Sequence, residues 1–131
     1  MTSEQIRQLI IGRMASFTGL DQARIAYPNQ PTVFTPPAAG LWCRIGIQYS
    51  EAFMAGMADK PHTRKPGQIV IQCFARVRTG IKDLGVLADA LEERFAYWSS
   101  GDLECMEVSQ VVVGEFDGFF QTNVNIRFRA G

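Results

Sequence analysis

One histidine and three cysteines are the side chains best suited to nucleophilic, redox or metal chemistry in this chain, and their spacing supplies none of it. His62 stands alone between Pro61 and Thr63, so no Ser-His-Asp or Cys-His arrangement exists unless it is built around that one ring. Cys43, Cys73 and Cys105 are far apart, and with His62 they lack the C-x-x-C pair that a zinc site of this kind uses. All three fall at apolar positions of strand-like segments and are expected to be buried, reduced thiols. Glu92-Glu93 and Asp102 with Glu104 have no neighbour that would raise a carboxyl pKa, and they read as solvated faces. Gly80 and Gly85 flank a helix start without a G-x-x-x-x-G-K-[ST] loop. The expectation is therefore no catalytic residue, no cofactor and no metal, in a protein that is not an enzyme.

What the sequence does carry is an uneven charge pattern. Net charge is zero, yet residues 60–82 hold six Lys or Arg and no carboxylate, while residues 83–117 hold nine carboxylates against Arg94 alone. Two solvated faces would explain this. So would a polar protomer whose basic part meets the acidic part of an identical neighbour. The residues that would serve such a subunit interface form two groups. Phe53, Met54, Met57, Arg64 and Lys65 lie in a long segment, where Met and Phe suit an adaptable contact. Trp42, Phe74, Arg76, Arg78, Arg127 and Arg129 lie on the outward side of strands. Arginines beside aromatics also raise single-stranded nucleic acid as a ligand, but the chain is neutral and shows no RNP pattern, which disfavours it.

These positions depend on elements that hydrophobic spacing predicts. Thr2-Ser3-Glu4-Gln5 reads as a capping box opening a helix with the stripe Ile6, Leu9, Ile10, Met14, Phe17, stopped at Gly19. Arg24 to Tyr27 is a short strand candidate, followed by a stiff connection with four of the six prolines. Period-2 alternation predicts strands over Leu41–Tyr49 and Gln68–Val77, and then Leu84, Leu87, Ala88, Leu91, Phe95 and Trp98 recur at helical spacing. Residues 50–66 form a connection about twice the usual loop length, which is either functional or simply mobile.

Leu103 to Arg129 reads as one hairpin around Asp117-Gly118. A two-residue turn would oppose Ile126 with Ser109 and Phe128 with Glu107. A three-residue loop of Phe116-Asp117-Gly118 instead sets Val112 by Thr122, Val108 by Ile126, Met106 by Phe128 and Glu107 by Arg127, and is preferred. Trp42, Val70 and Phe74 then share the face away from the helices, to be covered by the proline-rich connection or by another subunit. The fold class expected is α+β: a mainly antiparallel sheet of four to five strands with two helices packed on one face, as a single domain over 1–131. No apolar run is long enough to span a bilayer, and MTSEQIRQLI lacks the apolar centre of a signal peptide, so a cytoplasmic protein is expected.

The order of these parts resembles the phage tail terminator, or tail completion, family that includes minor tail protein U of lambda-like phages. The matching stretches are the N-terminal helix, Tyr27-Pro28-Asn29-Gln30-Pro31 before Pro36-Pro37, Trp42-Cys43-Arg44-Ile45 and Gly67-Gln68-Ile69-Val70-Ile71. Phe74 with Gly80, the Leu84-Leu87-Ala88-Leu91 helix and the closing Ile126-Arg127-Phe128-Arg129-Ala130 complete the set. They cover nearly the whole chain, and each is short and structural. The resemblance implies a subunit of a hexameric ring that caps the tail tube, stops tube polymerisation and offers the head-attachment surface. Its implied partners are further copies of itself, the tail tube protein and a head-completion or connector protein, with no membrane. Its implied places are the bacterial host cytoplasm during assembly and then the virion tail. In that family the long loop orders in the ring, which matches Ser50 to Pro66. Another head–tail morphogenesis role, in the neck or in head completion, fits the same architecture.

Overall fold

The computed structural model describes residues 1–50, 53–54 and 63–131. Its first helix, α1 (Ser3–Ala15), opens with the expected capping box: Gln5 N–H donates to Thr2 Oγ1 at 3.1 Å and Thr2 N–H to Gln5 Oε1 at 2.8 Å. Ile6, Ile10 and Met14 are wholly buried. The helix ends at Ala15 with Ser16 as its cap, earlier than Gly19. Phe17 is buried beyond the helix, its ring folded back over Gly19, where a Cβ would overlap it.

The end of α1 is tied to the end of the second helix, α2 (Lys82–Phe95). Arg13 donates to the Arg94 carbonyl at 2.7 and 3.1 Å, and Arg94 donates back to the Arg13 carbonyl at 3.3 and 3.4 Å. Each guanidinium thus satisfies a last-turn carbonyl of the other helix, where the macrodipole favours a cation. The Arg13 guanidinium also lies 4.9 Å from the centroid of Trp98. Trp98 itself falls outside α2, because the chain turns at Ala96 and Tyr97 has φ 57°. It still packs on the core, edge-on to Phe95 at 6.2 Å.

Six strands lie side by side in the order β1 (Ile25–Ala26), β2 (Trp42–Tyr49), β4 (Thr63–Arg76), β7 (Phe119–Ala130), β6 (Leu103–Phe116), β5 (Ser99–Ser100). The short β3 (Phe53–Met54) pairs with the start of β4, off this path. The fold is α+β, as expected, but the sheet holds more than four to five strands among the described residues. The additional β3 and β5 have two residues each, too few for any periodicity to reveal. All pairings are antiparallel except β1 with β2. One buried cluster joins Ile6, Ile10 and Met14 of α1 and Leu84, Leu87, Leu91 and Phe95 of α2 to the inward residues of β2, β4 and β7, including Ile45, Ile69, Ile71, Val124, Ile126 and Phe128. Burying each such side chain contributes about 1.5–3 kcal/mol.

The expected loop over 50–66 is shorter than the spacing indicated, since β4 begins at Thr63 and continues through Pro66. Pro66 is opposite Arg129 of β7 and accepts from Ser50 N–H at 2.9 Å. The hairpin joins both of the competing registers. Phe116 pairs with Phe119 around a two-residue Asp117-Gly118 turn, both residues at positive φ, rather than across a three-residue loop. An irregularity between Val112 and Gly114 then inserts one residue, so Val112 meets Thr122 and Val108 meets Ile126 after all. A second irregularity between Cys105 and Val108 puts Cys105, not Met106, opposite Phe128. That shift brings a buried thiol inward and leaves Met106 only partly covered.

Candidate interaction surface

No helix among the described residues is long and apolar enough to cross a membrane, and no group of three or more His, Cys, Asp and Glu there could hold a metal ion. All three thiols are free and buried, Cys43 directly opposite Cys73 across β2 and β4, and burial pushes Cys43 and Cys105 up to about 12 and raises Cys73 as well. They are neutral and unreactive near pH 7. His62 lies outside the described residues. Glu104 is bonded to Arg129, and Glu92 accepts from Gln110 at 3.4 Å.

Of the outward-facing candidates, several are occupied within the subunit. Trp42 and Phe74 stack at 4.1 Å between centroids and are 3% and 8% exposed. Phe34 from the proline-rich connection lies 5.4 Å from Trp42, and Phe119 meets both rings edge-on. Of the two covers that the sequence left open, the connection is the one seen. Arg76 fastens it, donating to the Pro37 carbonyl at 3.1 Å with its guanidinium 4.4 Å from the Phe119 centroid. Trp42 and Phe74 are therefore buried within the subunit, and Arg76 is half-buried against the connection. Arg127 and Arg129 are half exposed but pair with Glu107 at 2.6 Å and Glu104 at 2.8 Å on the adjacent strand. A hydrogen bond from its own backbone, then Arg127, hold the Glu107 carboxyl below the usual range. Exposed pairs of this kind fix register more than they stabilise.

Arg64 and Lys65 sit at the start of β4, opposite Phe53 and Ala130, and Arg78 is exposed in the turn after β4 at φ 66°. Phe53 and Met54 form β3, and Met57 lies outside the described residues. Among the basic candidates without a described ion pair, Arg78 is exposed and Arg64 and Lys65 are half-buried.

Sequence reasoning missed an open apolar feature among the described residues, the outer edge of β6. Strand β5 pairs with β6 only at Leu103 and Glu104, so among the described residues the remainder of that edge has no strand beside it. Val111, Val112, Val113 and Phe116 are all exposed there, Val112 at 68% and Phe116 at 73%. Three consecutive valines in a strand were the available signal, because a strand with one buried face should alternate. Isolated exposed apolar residues are ordinary, whereas several together on an unpaired edge mark a contact site.

No protein-family model matches this sequence, and no curated protein matches it either. Among proteins of known structure, one superposes on 100% of this chain and 96% of its own length with a TM-score of 0.74 at 19% identity. That protein bears a serial designation rather than a functional name, so the likeness speaks for the fold alone.

Proposed function

We propose that this chain is a structural protein of phage or prophage tail assembly, a tail terminator whose subunits form a ring that caps the tail tube and halts its growth. The reading rests on the resemblance described above, and the observation that carries it here is the apolar open edge at Val111–Val113 with Phe116 at its end. A protein acting alone gains nothing from such an edge and risks aggregation, whereas a ring-former covers it with its neighbour. The mechanism makes and breaks no bond. Head-to-tail copies present one surface that fits the tube end and one that cannot accept another tube ring. Weak single contacts are summed around the circle.

Light scattering of the purified protein over concentration and salt tests this. The expected result is a six-membered ring at low salt that dissociates as salt rises, because exposed basic and acidic groups meet across the contact. Replacing Arg64 and Lys65 together by Glu should abolish the ring while the subunit stays folded by circular dichroism. A parent protein that stays monomeric at high concentration in low salt refutes the reading. A double variant that assembles normally removes Arg64 and Lys65 from the contact.

A further inference from the structure

We propose that the ring contact is a strand pairing, in which the open edge of β6 in one subunit joins the open edge of β2 in the next and the sheet runs on from copy to copy. This rests on the ring reading and deepens it. Strand β1 covers β2 only at Cys43 and Arg44, so Ile45–Tyr49 present an uncovered edge among the described residues. At the other end of the sheet, β5 covers Leu103 and Glu104 of β6, the Trp98 carbonyl accepts from Cys105 and the Tyr97 N–H donates to Met106, which leaves the edge open beyond Met106 among the described residues. Both edges carry backbone N–H and C=O groups that need partners whenever water is excluded.

The two edges fit one another. Between its irregularities, β6 is regular over residues 108–112, five residues, and the uncovered part of β2 is residues 45–49, also five. Neither stretch contains Pro, Lys or Arg, the usual guards of an exposed edge. Their surroundings differ in sign. Asp89 and Glu92 of α2 sit against Gln110 at 2.9 and 3.4 Å, and Glu115 is exposed further along β6. Beside β2, just past the Tyr49–Gly67 pair, are Arg64 and Lys65, Lys65 on the face of β4 that also carries Ile69, while Arg44 lies over the Trp42 ring at 5.6 Å on the opposite face. Glu4, the carboxylate of the first turn of α1, is already taken by Arg7. Pairing β6 with β6 of another copy would set Asp89, Glu92 and Glu115 against themselves. Pairing β6 with β2 sets them against cations. It also joins two different surfaces, as a closed head-to-tail ring requires.

Two measurements test this. A photoreactive benzoylphenylalanine in place of Val112, in a mixture of isotopically light and heavy subunits, should cross-link to residues 41–50 of a different copy. Separately, Val112→Lys should weaken self-association at least tenfold without moving the thermal midpoint of the dilute monomer, because it sets a guarding cation in the pairing edge. Val33→Lys, more exposed at 88% and in the proline-rich connection rather than on β6 or β2, should leave association unchanged. Cross-links to β6 of another copy, or stronger association of Val112→Lys, overturn the β6–β2 pairing in favour of a symmetric contact and leave self-assembly standing. Cross-links to any other segment overturn the strand pairing alone. Absence of any association at all overturns both this pairing and the ring.

Discussion

Gly67 stands where three strands meet, opposite Tyr49 on β2 and Phe128 on β7, and its replacement by Ala measures how tightly they are joined. A Cβ at this position would lie 2.6 and 2.9 Å from Cζ and Cε2 of the Phe128 ring, and nearer still to the Gln48 carbonyl oxygen. Ordinary contact begins at 3.4 Å, so the ring would have to retreat by about 0.8 Å. Phe128 is wholly buried with Tyr49 edge-on at 6.2 Å, so it has nowhere to go. Overpacking of this kind costs about 1–3 kcal/mol. Against it, Ala restricts the unfolded chain and returns about 0.4–1 kcal/mol. The net loss should be about 1–2 kcal/mol, a fall in Tm of about 4–8 °C for a domain of this size. Urea and thermal unfolding of Gly67→Ala measure it. Because the carbonyl is both closer and unable to rotate away, the cost in a Phe128→Leu background should shrink by less than half. A variant as stable as the parent would refute the tight junction, and full relief by Phe128→Leu would refute the carbonyl as its main cause.

Arg13→Ala should cost about 1–2 kcal/mol in urea unfolding, through two lost charged hydrogen bonds and the Trp98 contact, and Arg13→Lys should recover less than half of it, since an ammonium cannot make the forked contact. Burial raises the Cys43 and Cys105 thiols above their ordinary value of 9.0, so their contribution is intact below pH 9 and is lost as pH rises toward about 12. Cys43 and Cys105 should each cost about 1.4 kcal/mol of stability for every pH unit between 9.0 and about 12. Alkaline unfolding of the parent against Cys43→Ala checks the sign, and a thiol reagent should label the folded protein near pH 7 only on unfolding.

Side-chain spacing was most informative where one face of an element is buried against many neighbours. The capping box, the α1 and α2 stripes and the inward residues of β2, β4 and β7 were all legible for that reason. It was least informative where backbone geometry decides. The residue inserted beside Gly114, φ 102°, reconciles a two-residue turn with the register that the apolar residues demand, and no side chain announces it. The ends of α2 and of β4 shifted because Tyr97 and Arg78 adopt left-handed turns that non-glycine residues rarely take. As to the surface, alternation identified Trp42 and Phe74 as facing away from the helices but not that Phe34 and Pro37 would cover them. The break in alternation at Val111–Val113 was the one signal for the open edge of β6, and the sequence reading passed over it.

The two inserted residues in β6 bear on how many copies can join. A straight border repeats its direction with each addition and grows into a fibre without end. A border that bends as it goes turns every newcomer through the same angle, and a constant turn can bring the last arrival back to the first. Removing the inserted residue at Val113 would straighten that border, and the material to look for is an open filament where a closed circle stood before.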